Sequence, residues 1–384
     1  MIVNVKSETG LSGFYIIFDG STMNEKPGWF GLSHCLEHLV CKSFEHLQNT
    51  YQQKSVEWNA YTSNTNVVFF MKGLDRHINE FKNEFLKLIL SYEPTQEQLD
   101  NEKKIVLEEY KMAFNSQGES HFMNLQRKMF GYYNPIGLRS DIEKFTLKDC
   151  KEYLDLYCKK PTKIINISKY NDFESDVEFR KSINVEPFKI KFNDNLFVIK
   201  SDDDTEVPEG LIPLEIITEY KNKVSILNIS PVITKDFSYA SFLCEMLGSG
   251  LNSPLYKEVR EKLGLVYSIS CFIDKLNSKS CTIDIMTDTS NTNIEIVQNQ
   301  IKSVLENKEL FLTQERFDIV KDNYITRLEK AEILNYSNVG KYMEDSEWRI
   351  ETIINTITLN DVYDIVDKYL NWNDIYKSVD KNEF

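Results

Sequence analysis

Two histidines and a glutamate near the start of the chain have the spacing of a metal site. His34 and His38 are four residues apart, and Glu37 directly precedes the second histidine. Side chains four residues apart lie on one face of a helix, so both imidazole rings can bind one tetrahedral ion. A zinc ion with three protein ligands keeps one position for water, lowers the pKa of that water to about 7, and requires a nearby carboxylate as general base. The spacing predicts hydrolytic zinc chemistry with Glu37 as the base.

The order of these residues, His-x-x-Glu-His, is the reverse of the more familiar zinc protease motif and is the inverzincin signature. The alternative interpretation is a helix with two surface histidines and no metal. Two histidines do not complete a catalytic zinc site, so a third ligand must come from elsewhere in the chain.

The nearest carboxylate-rich helix is the best source of that ligand. Thr95 and Gln98 form a capping box, which predicts a helix that begins there and continues to about Phe114. The helix carries Glu102, Glu108 and Glu109 among its carboxylates.

Strands precede and follow the motif. Apolar runs at residues 2–5 and 13–18 are predicted to be neighbouring strands, and the helix with the motif comes after them. Residues 56–71 give further strand segments around the turn-like sequence at residues 63–66. Long amphipathic helices are expected after these strands.

The second half of the chain repeats the order of the first. A strand is predicted at residues 224–229, a helix at residues 237–247, strands between residues 266 and 287, and helices up to residue 370. Gly31 to Val40 align without gaps on Gly250 to Val259, with Gly, Leu, Leu and Val in common. We interpret this as a duplication in which the second copy lost its metal ligands.

An acidic segment punctuated by Pro and Gly at residues 201–210 is predicted to be the linker between two domains. The N-terminal, zinc-binding domain is expected at residues 1–200 and its homologous C-terminal domain at residues 211–384. The predicted fold class is α+β, in which each domain is a mostly antiparallel sheet covered by helices.

Composition limits the possible partners and compartments. The chain has 384 residues and a net charge of −14, which makes nucleic acid an unfavourable partner. No apolar run reaches the ~18 residues of a membrane span, and no signal peptide is recognisable, so a soluble protein without a membrane partner is expected. Seven scattered cysteines without a Cys-x-x-Cys pair favour a reducing, cytoplasmic location.

Across nearly its whole length the chain resembles the pitrilysin/insulinase family of inverzincin peptidases. In that family a downstream Glu completes the zinc shell, and another Glu seven residues earlier supports the site. The resemblance implies Glu109 as the third ligand and Glu102 as the supporting carboxylate. Glu108 is rotated by about 100° on the helix and is the second candidate ligand. The alternative for Glu102 is a surface pair with a lysine at helical spacing.

The resemblance also implies residues that bind a peptide substrate. Residues 58–62 are similar to the family's Asn-Ala-x-Thr strand, so the backbone at Asn59 and Ala60 is expected to pair with an extended substrate. The alternative is a half-buried strand with Trp58 and Tyr61 in the core.

Residues 247–267 are similar to the family's Arg/Tyr segment, which contributes Arg260 and Tyr267. The guanidinium group can hold a substrate carbonyl or carboxylate, and the phenol can donate to the oxyanion at the scissile carbonyl. The alternative is an ordinary helix that is opened by Ser253 and Pro254, is closed by Gly264, and carries Arg260 on its solvated side.

Half-size relatives similar to the mitochondrial processing peptidases are dimers that enclose a chamber. Because this chain carries both the metal motif and the Arg/Tyr segment, the resemblance implies a homodimeric zinc endopeptidase acting on unfolded peptides or leader segments. Two alternatives are a non-catalytic subunit with the same fold and the metal-binding half of a heterodimer.

Overall fold

The chain divides into two compact units, each of which includes a segment from the other half of the sequence. The computed structural model describes residues 1–114, 117–130, 134–181, 192–193, 197–199, 212–213, 215–218, 220–334, 336, 339–343 and 348–382. The first unit comprises Met1–Asn115, Tyr132–Asn184 and Glu329–Glu344. The second comprises Ser116–Gly131, Val185–Leu328 and Asp345–Phe384. The predicted linker at residues 201–210 lies outside the described residues, so the boundary between residues 1–200 and 211–384 stays a prediction.

The first unit contains a five-stranded sheet in the order β1-β5-β2-β4-β3. Its strands are β1 Ile2–Lys6, β2 Leu11–Phe18, β3 Glu57–Thr62, β4 Val67–Leu74 and β5 Lys163–Ser168. β1 pairs with β5 in parallel, and the other pairs are antiparallel. The prediction that residues 2–5 and 13–18 are neighbouring strands was wrong, because β5 lies between them.

Helices cover one face of this sheet and build the core with it. The helices of the first unit are α1 Leu32–Cys41, α2 Gln48–Gln53, α3 Asp75–Ser91, α4 Gln96–Phe114, α6 Arg139–Ile142, α7 Leu147–Tyr153 and α12 Gly340–Met343. The predicted capping box opens α4, since Gln98 N–H donates to Thr95 Oγ1 and Thr95 N–H donates to Gln98 Oε1. On the other sheet face, Tyr15, Ile17 and Val68 pack against the segment that includes α12.

The second unit contains a six-stranded sheet in the order β11-β12-β10-β13-β9-β7. Its strands are β7 Phe197–Ile199, β9 Glu215–Thr218, β10 Tyr220–Ile229, β11 Ile269–Asn277, β12 Ser280–Thr289 and β13 Tyr376–Asn382, and a separate short pair is formed by β6 Phe192–Asn193 and β8 Ile212–Pro213. The helices are α5 Gln117–Phe130, α8 Phe237–Gly248, α9 Ile294–Glu306, α10 Lys308–Phe311, α11 Gln314–Ile333, which continues into the first unit, and α13 Leu359–Tyr369.

The two sheets share one topology. Read from β3, the first sheet runs β3-β4-β2-β5-β1, and the second begins β11-β12-β10-β13-β9. Among these five strands of each sheet, the first three pairs are antiparallel, and the fourth pair, β5 with β1 or β13 with β9, is parallel. The internal repeat seen in the sequence thus coincides with a repeat of strand order and direction. The predicted α+β fold, with two mostly antiparallel sheets covered by helices, is confirmed.

No helix within the described ranges combines the length and the apolar character that crossing a bilayer requires.

Two glycines allow close backbone contact where α1 begins. Gly31 has a φ of 96° and Gly137 a φ of 76°, a region that disfavours residues with a Cβ. A Cβ at Gly137 would overlap the Cα of Gly31 and the carbonyl of Phe30. The start of the motif helix is therefore held against the loop around Gly137.

Gly137→Ala should lower the free energy of unfolding by about 2–4 kcal/mol, because backbone strain adds to a clash with backbone atoms. Gly28→Ala is the matched control: Gly28 also has a positive φ, 89°, but a Cβ there meets no atom within 4 Å. Its expected cost is about 1–2 kcal/mol. Urea unfolding of both variants measures the difference, and equal losses would contradict the proposed close contact.

Candidate metal centre

Apolar spacing fixes how the motif helix is rotated. One face of α1 is buried in the core of the first unit through Leu32, Cys35, Leu36, Leu39 and Val40. His34 and His38 project from another face, where both are half-buried and their ring centroids lie 4.7 Å apart. The two imidazoles therefore share one direction, as the four-residue spacing predicted.

Glu109 of α4 meets both imidazoles. Its Oε2 atom lies 3.4 Å from Nε2 of His34 and 3.6 Å from Nε2 of His38. Ligands at about 2.0–2.1 Å from a tetrahedral zinc ion are about 3.3–3.4 Å from one another, so these separations fit a zinc ion at their centre. Within the described ranges, this is the group of His, Cys, Asp and Glu side chains whose geometry suits a metal. The donor set of two imidazoles and a carboxylate suits a hydrolytic zinc site.

The other candidate ligand, Glu108, points elsewhere. Its carboxylate accepts a hydrogen bond from Lys111 on the same helix at 2.6 Å and is largely exposed. The rotation of about 100° per residue separates it from the face that Glu109 presents to α1. The packing of α4 against α1 thus brings Glu109, rather than Glu108, to the histidines.

Glu102 lies beneath the histidines and is only 3% exposed. Its Oε2 is 3.3 Å from Nδ1 of His38, and its Oε1 is 3.1 Å from Nζ of Lys42, the residue that follows α1. A surface pair with a lysine of its own helix, the alternative weighed from sequence, is therefore not what the structure contains. When Nδ1 of His38 donates to Glu102, Nε2 keeps its lone pair towards Glu109, which is the orientation a metal ligand needs.

His34 is held in its neutral form. Burial, and secondarily the neighbouring His38, lower the pKa of the His34 imidazole to about 4. A neutral ring is the form that binds metal. Its Nδ1 atom is buried and has no hydrogen-bond partner within the described part of the chain.

Glu37 lies beside the ligands and makes a hydrogen bond to the edge strand. Thr62 Oγ1, at the end of β3, donates to Glu37 Oε2 at 2.7 Å. Burial is the main effect that raises the pKa of the Glu37 carboxyl, and the nearby Glu109 acts in the same direction, while Thr62 and His38 oppose them. A positioned carboxylate with a raised pKa is suited to accept and return a proton.

Sequence reasoning missed the contacts of Lys42, Thr62 and Glu25 in this centre. Lys42 had a readable signal, because it lies four residues after His38, directly after the motif helix. The signal for Thr62 was weaker: it lies two residues after Ala60 and four after Trp58, so the three side chains share the inner face of β3. Glu25, whose carboxylate binds the start of α1, had no helical or strand spacing to identify it.

Asn59 and Ala60 lie on β3, an edge strand of the first sheet that pairs with β4 among the described strands. The Ala60 N–H donates to the Asn59 side-chain oxygen at 2.9 Å. Trp58 packs against the core beside Phe44, as in a half-buried strand, but Tyr61 is substantially exposed and does not belong to that core.

Arg260 and Tyr267 belong to the second unit, on and after a helical segment that ends near residue 261. Arg260 Nε donates to the backbone carbonyl of Tyr267 at 2.6 Å, and a terminal guanidinium nitrogen bonds the Tyr256 hydroxyl. Tyr267 is 87% exposed. Gly264, with a φ of 64°, closes the segment as predicted. Arg260 and Tyr267 therefore contact each other.

Comparisons with known proteins identify similar sequences over most of the chain. The family model described as insulinase (peptidase family M16) matches residues 3–136, and the model described as peptidase M16 inactive domain matches residues 181–324. The zinc protease PqqE of Helicobacter pylori is 24% identical over 356 residues, which cover 86% of this chain and 78% of that protein. An uncharacterised zinc protease of Rickettsia felis is 20% identical over 368 residues, covering 88% and 84%.

A solved structure shares the fold. The crystal structure of a protease from Helicobacter pylori superposes with a TM-score of 0.81 at 19% identity and covers 99% of this chain and 96% of that one. Models of one family match both halves of the sequence, and the relatives extend over most of its length. The chain belongs to the insulinase (peptidase M16) family.

Proposed function

We propose that the chain is a zinc-dependent endopeptidase that hydrolyses unfolded peptides or leader segments. The observation that carries this proposal is the meeting of His34, His38 and Glu109 at zinc-ligand separations, with Glu37 beside them. The proposal is also supported by the relatives described above, which are named zinc proteases.

In this proposal the three side chains hold zinc, which when bound supplies a Lewis acid and lowers the pKa of water. Glu37 takes a proton from the attacking water and delivers it to the leaving amine. The Thr62 hydroxyl fixes one carboxylate oxygen at 2.7 Å, so the orientation of the other is restricted. Glu102 keeps His38 turned towards the ion through its bond to Nδ1.

Substrate binding is assigned to the edge strand and to the Arg/Tyr segment. An extended peptide added alongside β3 would accept the Ala60 N–H in place of the Asn59 side-chain oxygen. Such pairing recognises the backbone of the substrate rather than its sequence. Arg260 and Tyr267 are proposed to hold the substrate and to stabilise the transition state. The exposure of the Tyr267 phenol supports a role towards a ligand.

The proposed assembly is a homodimer in which each chain contributes a metal centre and an Arg/Tyr segment to an enclosed chamber. A second candidate is a non-catalytic or heterodimeric subunit of a peptide-processing complex. The observation in its favour is that the model matching residues 181–324 is described as an inactive domain. The metal-binding geometry of the first unit favours the enzyme.

Glu37→Gln should reduce kcat about 10²–10⁴-fold, because an amide cannot accept the proton. Zinc content should remain near wild type, since Glu37 is not among the three proposed ligands. Cleavage of a mixed peptide library and metal analysis of the same sample measure both quantities. Wild-type turnover by the zinc-loaded variant would exclude this mechanism.

Glu109→Gln should weaken zinc binding by more than about 100-fold, which exceeds the usual effect of losing a residue behind the ligands. Glu108→Gln is the matched control, because it makes the same chemical change one residue away on an exposed face. Competition with a chelating dye gives both affinities. If Glu108→Gln lost as much zinc affinity as Glu109→Gln, the loss would be explained by a destabilised helix rather than by a missing ligand.

Sedimentation should give the mass of two chains for the active protein. The reason is that a complete site is proposed to need the metal centre of one chain and the Arg/Tyr segment of another. Full peptidase activity in a species with the mass of one chain would contradict the homodimer.

A further inference from the structure

The start of helix α1 is bound by a carboxylate that the proposed mechanism does not use. Glu25 Oε2 accepts the N–H of Gly31 at 2.8 Å, and Oε1 accepts both the N–H and the hydroxyl of Ser33 at 2.8 and 2.6 Å. Gly31 precedes the helix, and Ser33 is its second residue. One side chain thus satisfies two of the backbone donors that a helix leaves unpaired at its N-terminus.

This contact is adjacent to the first proposed ligand. His34 directly follows Ser33 and lies in the first turn of α1, so the backbone that Glu25 fixes is the backbone that aims the His34 ring. The close contact between Gly31 and Gly137 restrains the same residue. A shift at the start of the helix would move His34 relative to Glu109.

Charge gives Glu25 a second effect. The N-terminus of a helix carries a partial positive charge of roughly half a unit, and a cation bound in the first turn would be repelled by it. A carboxylate on those N–H groups offsets the repulsion. Burial raises the pKa of Glu25 to about 7, while its hydrogen bonds with Gly31 and Ser33 act in the opposite direction.

We propose that Glu25 is a positioning residue for the metal centre, which fixes the first turn of α1 and compensates its positive end so that His34 and His38 can bind a dication. This inference rests on the proposed zinc chemistry. A simple structural cap would stabilise the fold without changing metal affinity.

The test measures zinc affinity of the full chain by competition with a chelating dye, together with the melting temperature. Glu25→Gln keeps the size of the side chain and one acceptor oxygen but removes the charge. It should weaken zinc binding about tenfold, the effect of a charge at a helix terminus in a partly buried setting. Glu25→Ala, which removes every acceptor, should bind zinc at least as weakly.

Thr146→Ala is the control, because Thr146 caps α7 in the same unit by accepting the N–H of Asp149 and is not part of the metal centre. It should lower the melting temperature while zinc affinity stays within about twofold of wild type. Equal zinc affinities of wild type and both Glu25 variants would overturn the inference, as would a Thr146→Ala variant that loses affinity equally. Failure of the wild-type protein to bind zinc would instead overturn the proposed function.

Discussion

The convergence of three donor atoms from two helices is the constraint on which the rest of the centre depends. His34 and His38 share a helix, but Glu109 comes from a helix that begins after α2, two strands and α3. Separations of 3.4 and 3.6 Å leave little tolerance, because a movement of about 1 Å would spoil the tetrahedral geometry. The buried face of α1, the glycine contact at Gly31 and the buried side chains of α4 each restrict one possible movement.

Local spacing was enough to predict that the two histidines lie together, but not which glutamate meets them. The four-residue separation of His34 and His38 is a property of any helix, so the sequence sufficed. The choice between Glu108 and Glu109 came from a resemblance, since both lie on the same helix and only packing against α1 decides which one meets the histidines. Lys42 and Thr62 contact carboxylates across separate elements, and such contacts depend on tertiary structure.

The fold shows the same division between local and distant information. The capping box at Thr95, the α+β class and the strands near residues 2–18, 56–74, 224–229 and 269–289 follow from local patterns and were predicted, whereas β5 and β13 were not. The order of the strands was not, because β5 enters between β1 and β2 from a position about 150 residues further along the chain. Likewise, residues 116–131 and 329–344 each belong to the unit formed mainly by the other half of the sequence, and no composition change marks them.

The repeat of strand order explains why the two halves can differ so much in chemistry. Both Gly31 and Gly250 have a positive φ and precede a helical segment in their unit. In the first unit the following positions carry His34, Glu37 and His38, whereas the aligned positions in the second carry Ser253, Tyr256 and Lys257. Packing needs only the apolar positions of such a helix, so the polar positions can change without loss of the fold. The candidate metal centre is therefore a set of side chains on a framework whose strand order recurs in the second unit without them.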